Sequence, residues 1–368
     1  MSVEYRFVVA DGTTELGEVD TYESAEIVAR HNDISTWEMV LPAGTEAATL
    51  LTASTRPRLV LWASGEILRS GPVTRMERSV DVDGDVLTVS GVDDMIWLRR
   101  RLAHPQPGTP APPYSASAYD TRTGPASQVA AAFVDANAGP GAVTARRVPG
   151  LTVPVPAAAG PSITVRARYQ NLFDLVTRIA RSHSLTVEVS DLVLSVTAPA
   201  PARVYFSVGL GTLAGWTSEV EAPEVNYLYV AGAGVGTARL IREYPDADSV
   251  GQWQRIEGFD DRRDTSDTAE LDQAAAETLA DAVIPSTVSL VTVDTPSQSF
   301  LEDWRLGDMA VATVGGVEVT EVIAEVHLLF EANAPPQVTP VLGGPAVDLR
   351  MWRQLNRQSR QIRQLERM

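Results

Sequence analysis

The chain contains no cysteine and no lysine. Without thiols, disulfides and thiolate metal sites are excluded, and all 30 basic residues are arginine. Histidine is scarce too. His31, His104, His183 and His327 stand far apart, none in a His-x3-His or H-E-x-x-H arrangement, so no metal centre is expected. No apolar run approaches the ~18 residues of a membrane-spanning helix. The opening MSVEYRFVVADG lacks a basic segment ahead of an apolar core, so it does not read as a signal peptide. Positive charge is also short: 47 acidic residues give a net charge of −17, which argues against a surface that grips nucleic acid or anionic lipid. What is present is a 368-residue chain that is 44% hydrophobic, long enough for two or three domains with real cores.

One stretch organises the rest. Gly307 to Gly344 reads as a strand (Met309–Val314), a Gly315-Gly316 turn, a long alternating run from Val317 to Phe330, a Pro335-Pro336 break and a last strand, Val338–Leu342. Arg58 to Gly91 echoes it: Leu59–Trp62, Ser64-Gly65, a long strand carrying Val73 and Met76, an Asp83-Gly84 turn, then Val86–Ser90. The turn glycines Gly65 and Gly316 precede the closing glycines Gly91 and Gly343 by 26 and 27 residues. Alternating runs bounded by such turns are hairpin signals, and two copies predict a duplicated all-β unit.

Residues 1–102 therefore read as β, with Tyr5–Ala10, Ser24–Val28 and Ser35–Leu41 as strands. Residues 103–124 are too rich in proline for a regular element, and Pro125 opens a helix. Ile163–Arg168, a helix over Asn171–Ser182 and a hairpin across Ser190-Asp191 complete a small α+β domain, giving 103–215 as linker plus domain. From Trp216 the β pattern returns: Val225–Ala231, Ala238–Tyr244 and Trp253–Phe259 are expected strands, and Asp267 is an expected N-cap for a helix from Thr268. Trp62, Trp97, Trp253 and Trp304 read as core. Residues 348–368 form a C-terminal helix in which Met351, Leu355, Gln358, Ile362 and Leu365 alternate in the a/d spacing of a coiled coil. Its six arginines and one glutamate make it basic, and two and a half heptads are too short to stand alone. Two readings stand: the seam helps a trimer that other contacts already hold, or the stretch is a frayed basic tail.

Catalytic constellations are missing. Gly232-Ala-Gly234-Val-Gly236 has the wrong spacing for a dinucleotide loop and reads as a hairpin. Asp81, Asp83 and Asp85 lack the glutamate of a calcium loop. The densest acidic cluster, Glu257, Asp260, Asp261, Asp264 and Asp267, is interleaved with Arg255, Arg262 and Arg263; paired carboxylates could serve a glycosidase, but alternating signs describe a salt-bridged junction more simply. The chain is read as a non-enzyme without cofactors.

Trp253–Asp264 (WQRIEGFDDRRD), the helix after it, Leu306-Gly307-Asp308 opening a strand pair, and Arg69–Val73 (RSGPV) together resemble the tail-tip (baseplate) hub family: minor tail proteins of siphophages infecting actinobacteria. The resemblance covers most of the chain. It implies a mainly β fold with an α+β insertion, with tube-like β-barrel or sandwich domains at 1–102 and 216–347. It implies a homotrimer whose six β domains form a pseudo-hexameric ring between the hexameric tail tube and a three-fold fibre or spike. DNA would slip through an acidic lumen in transit, without stable binding. Two rival readings are a tail-tip peptidoglycan hydrolase and a cell-wall or receptor-binding module, the latter expected to show exposed aromatics on a β sandwich.

Overall fold

The computed structural model describes residues 3–82, 84–198, 203–219, 221–263, 265–282, 287–293, 295, 298–314, 316–332 and 334–343. The seam residues Met351, Leu355, Gln358, Ile362 and Leu365 lie outside them. By packing, the chain divides into two compact units: Met1–Gly215 with Leu290–Thr313 and Val322–Val341, and Trp216–Ser289 with Val314–Glu321 and Leu342–Met368.

Alternating burial makes the strands. β1 (Tyr5–Asp11) and β2 (Thr14–Glu18) pair, as do β3 (Ser24–Arg30) and β4 (Thr36–Pro42). Along β3, Ala25, Ile27 and Ala29 point into the core while Glu26 is exposed; period two is what a half-buried strand requires. Helix α1 (Glu46–Ala53), capped by the Thr45 hydroxyl on the Ala48 amide, leads to the meander β5 (Pro57–Ala63), β6 (Glu66–Val80) and β7 (Asp85–Val92). Next come α2 (Ile96–Arg99), β8 (Asp120–Pro125), α3 (Ala126–Asn137), β9 (Ser162–Ala167), α4 (Leu172–Ser182), β10 (Thr186–Ser190) and β11 (Val193–Thr197). Leu172, Leu175, Val176 and Ile179 of α4 are buried with Val129, Phe133 and Val134 of α3 in one core, so the inserted α+β domain forms as the helical spacing predicts. The proline-rich stretch nonetheless ends in a strand. β8 pairs with β9 from Asp120↔Ala167 to Pro125↔Ser162, with Pro125 at the strand's end.

The chain continues through β12 (Arg203–Phe206), β13 (Leu213–Glu219), β14 (Tyr227–Ala231), β15 (Ile241–Pro245), α5 (Ala247–Trp253), β16 (Glu257–Asp261), α6 (Thr268–Asp281), β17 (Thr287–Thr292), β18 (Met309–Val314), β19 (Val317–Glu331) and β20 (Gln337–Gly343). Trp253 ends a helix instead of starting a strand, because Gln254 takes a φ of +65° and turns the chain before β16. Asp267 caps α6 through the Ala269 amide, at 2.9 Å. In the second unit, β15-β14-β16 form a three-stranded sheet whose Leu228 and Val230 pack against Leu271 and Ala275 of α6.

The large sheet runs β13-β17-β20-β19-β3-β4-β7-β6-β5-β1-β2, with β18 on β19 and β12 on β18. It stays open, so the barrel alternative does not hold within one chain. The order β3-β4-β7-β6-β5-β1 recurs as β13-β17-β20-β19-β18-β12. Both long strands, β6 and β19, have 15 residues. The turns before them hold Gly65 at φ +85° and Gly316 at φ +81°, a conformation glycine adopts without steric cost. The copies differ in sense at one pairing: β1 is antiparallel to β5, whereas β12 is parallel to β18. Of the expected core tryptophans, Trp304 is fully buried between Phe206 and Phe300. Trp62, Trp97 and Trp253 are half-buried.

The inserted domain is fastened to the first sheet by buried polar groups. Arg58, 4% exposed, pairs with Asp94, 0% exposed. The Ser70 hydroxyl (2.6 Å) and the Trp97 indole N–H (3.0 Å) also donate to that carboxylate, and the Asp191 amide donates to Ser70 Oγ at 2.7 Å. Burial raises the Asp94 pKa, with Arg58 the largest opposing influence. A charge pair of this kind costs little while intact and about 3–5 kcal/mol when one partner is removed. Arg58→Met should therefore lower stability by about 3–5 kcal/mol in urea unfolding. Arg78→Ala, which breaks an exposed pair with Asp85, should leave the midpoint unmoved.

Candidate functional site

Because β-strand side chains alternate, the face opposite the core of β19-β3-β4-β7-β6 is fixed by register. Glu26 stands directly opposite Glu38 and Leu329, Arg30 opposite Glu325, and Val28 between Thr36 and His327. Glu38 faces Ser90, which faces Arg75; Thr88 faces Glu77. Glu331 closes the row beside Ser24. Five carboxylates against two guanidiniums give this open face an excess of negative charge. Like charges directly across a ladder destabilise it, so the Glu26–Glu38 pair is a cost that folding alone does not explain. Glu325 is held below the usual carboxylate range by its hydrogen bond with His327, 3.1 Å away, and by Arg30, 3.0 Å away. Alternating glutamates in β3 and β4 were the available sequence signal; which strands lie side by side was not readable.

At the end of β3, the turn His31–Ser35 reads the edge of β10. The Asn32 amide donates to the Leu185 carbonyl (2.8 Å) and its oxygen accepts from the Val187 amide (2.7 Å), as a strand residue would. His31 Nε2 lies 3.0 Å from the Thr186 hydroxyl. The ring rests against Gly307, where a Cβ would come within 2.8 Å of it, so the Leu306-Gly307-Asp308 motif serves a packing joint. These groups border a cleft of about 300 Å³ whose polar lining includes Arg30, Arg69, Asp93, Glu188 and Arg305. Burial, then the charges of Arg181 and Arg69, push the His31 pKa down to about 4. Burial pushes Asp93 up to about 6, against the opposing pull of its hydrogen bonds from Ser35 and of Arg69.

The acidic cluster of the second unit is a set of ion pairs. Arg255 pairs with Glu257, Arg262 with Asp260, and both Arg239 and Arg263 with Asp261. Asp264 lies outside the described residues, and Asp267 is spent on its cap. The sheet face away from α6 carries a feature that the sequence reading missed: Tyr227 and Tyr229 beside Phe259, which is 61% exposed. The Arg255 guanidinium lies 3.6 Å from the Tyr227 ring centre. Alternation in YLYVA was the signal for it. Among the described residues no group of His, Asp and Glu side chains could hold a metal ion, and no helix is long and apolar enough to cross a membrane.

A family profile described as "Siphovirus ReqiPepy6 Gp37-like protein" matches residues 8–344. Among solved structures, the chain is similar to the tail protein from Neisseria meningitidis MC58: 16% identity, TM-score 0.54, covering 92% of this chain and 96% of that one. It is also similar to the 43 kDa tail protein of prophage MuSo2 from Shewanella oneidensis: 12% identity, TM-score 0.55, covering 92% and 98%. No curated protein matches the sequence.

His31 and Asp93 make a pH test of the joint. Between pH 4 and 6 the folded chain keeps both neutral, whereas unfolding yields an imidazolium and a carboxylate. Folded and unfolded states then bind the same number of protons at this pair, so its net pH slope vanishes. His31→Gln leaves only the raised Asp93, and stability relative to wild type should rise as pH falls from 6 to 4, by at most ~1.4 kcal/mol per pH unit. Asp93→Asn leaves only the depressed His31, and relative stability should fall as pH drops from 6.5 to 4. Urea midpoints at pH 6.5, 5.5 and 4.5 measure both.

Proposed function

Taking as premise that this chain belongs to the Siphovirus ReqiPepy6 Gp37-like family of siphovirus tail proteins, we propose that it is a structural hub at the tail tip. Three copies form a ring of six like β domains. The ring joins a hexameric tail tube above to three-fold fibre or spike components below, and DNA passes through it. The observation that carries this reading is the recurrence of one strand order in two copies along a single open sheet. A chain that presents the same domain twice offers six-fold contacts on one side while its copies obey three-fold symmetry. The open face with Glu26, Glu38, Glu77, Glu325 and Glu331 would line the channel, where excess carboxylate keeps phosphate from adhering. In this reading the two like domains are those expected at 1–102 and 216–347.

No catalytic role is assigned. The described carboxylates of the 257–267 cluster read more simply as ion pairs with arginines and a helix cap. The C-terminal seam of Met351, Leu355, Gln358, Ile362 and Leu365 would gather on the three-fold axis and attach the next component. Mass photometry should find a species three times the 39.5 kDa chain mass. Deleting residues 349–368 should leave that species intact. A monomer at micromolar concentration would sink the ring.

One observation favours a second reading. The exposed Phe259, beside the half-buried Tyr227 and Tyr229, suits the apolar face of a sugar ring, as in a cell-wall-binding module. If that reading holds, purified protein should co-sediment with host sacculi and Phe259→Ala should abolish it. If the hub reading alone holds, neither protein should sediment.

A further inference from the structure

Charge is unevenly spread along this chain. Residues 95–185, which carry α2, β8, α3, β9 and α4, hold ten arginines, three aspartates and no glutamate. That is a net charge of +7 inside a chain whose total is −17. Arg99, Arg122 and Arg181 pair with Asp174, Asp120 and Asp33. The other seven, Arg100, Arg101 and Arg146 among them, have no carboxylate partner among the described residues.

Two of the seven sit together and partly out of water. Arg101 Nε donates to the Arg146 carbonyl at 2.8 Å. Otherwise only carbonyls answer these side chains: that of Arg100 accepts from Arg101 Nη1 (3.1 Å), and that of Pro107 from Arg146 Nη2 (2.9 Å). Arg146 Nε is buried with no hydrogen-bond partner in the protein. Burial pulls both pKa values down, and each feels a like charge, Arg101 that of Arg100 and Arg146 that of Arg101. Both guanidiniums stay charged all the same.

Further donors stand around them. The His104 ring, 8% exposed, packs edge to face with Tyr114 (4.3 Å between centres) and Tyr169 (5.0 Å). His104 Nδ1 accepts from the Gln106 amide at 3.0 Å, which leaves the proton of the neutral ring on Nε2. Burial, then the charge of Arg146, lowers the His104 pKa. Gln170, whose carbonyl accepts from the Ala103 amide at 2.8 Å, has a buried Nε2 that also lacks a partner.

Packing does not account for this arrangement. Moving a guanidinium out of water is costly without a counter-charge, a second one beside it repels, and a buried donor left unmade adds to the cost. An anion offsets all three. A carboxylate brings two oxygens and one charge, whereas a phosphate brings more acceptors and meets the arginine fork at two points. The remaining unpaired arginines suit a ligand with phosphates in series. Ring faces nearby are already covered by guanidiniums: Arg99 lies 4.4 Å from the centre of Phe173, Arg100 5.1 Å from Trp97 and Arg168 5.8 Å from Tyr119. Single-stranded nucleic acid draws much of its affinity from bases stacked on open rings, so it is the poorer fit.

We propose that Arg101 and Arg146, with the unpaired arginines around them, form a binding site for the phosphates of a glycerol- or sugar-phosphodiester chain. The site does not depend on the ring reading above. Titration calorimetry of the full chain with inorganic phosphate and with a short poly(glycerol phosphate) tests it. The polymer should bind at least about tenfold more tightly than phosphate. Arg146→Gln and Arg101→Gln should each weaken polymer binding about tenfold or more, with circular dichroism unchanged. Should either variant lose its fold, Arg100→Gln at an exposed position still probes the site, and a weakening of about threefold is expected. Silence with both probes, or affinities that these substitutions leave unmoved, would overturn the site. Equal affinity for phosphate and polymer would overturn the chain as ligand. Oligothymidylate bound as tightly as the glycerol polymer would overturn the choice of chain in favour of nucleic acid.

Discussion

Everything in the large sheet depends on one ladder, the pairing of β3 with the distal half of β19. It joins residues about three hundred positions apart, Arg30 to Glu325 and Ser24 to Glu331. Backbone amides buried in a sheet must find partners, and leaving them unmade costs more than making them gains. By letting the first copy's edge strand satisfy the second copy's long strand, the chain disposes of two edges at once.

The inserted domain is held by a different physics. Arg58, Asp94 and Ser70 are removed from water almost completely, and hydrophobic residues of similar volume would serve stability as well. What the polar set supplies is register: Asp94 accepts from Trp97, Ser70 and the Leu192 amide, and only one placement of the hairpin β10–β11 satisfies them all. Asn32 adds the same kind of constraint by imitating a strand residue beside β10. Such groups fix where a domain sits more than how tightly it is held.

The open face shows the opposite balance. Placing Glu26 across from Glu38 spends stability on charge that no guanidinium directly opposite offsets. Arg30 and Arg75 are both answered, by Glu325 and Glu77. An excess of carboxylate on a sheet face sets up a negative field that disfavours anions beside it.

Much of this was legible in the residues. Period two in SAEIVAR and TWEMVLP marks half-buried strands. The Gly65 and Gly316 turns mark the repeated meander, and the spacing of Leu172, Leu175, Val176 and Ile179 marks a helix with one buried face. The helix ending at Trp253 and the strand β8 were misread locally, because a positive φ at Gln254 and a distant partner in β9 outweigh local composition. The sequence by itself determined the class of the fold, the lack of thiol chemistry and the sign of its charge. Those are properties of short windows and of sums. Tertiary structure alone decided that β3 crosses to β19, that Glu26 faces Glu38, that His31 and Asp93 border one cleft, and that Tyr227, Tyr229 and Phe259 share an uncovered face. Each of these depends on pairings between distant segments, whose choice rests on many weak contacts and on edge hydrogen bonds that leave no local signature.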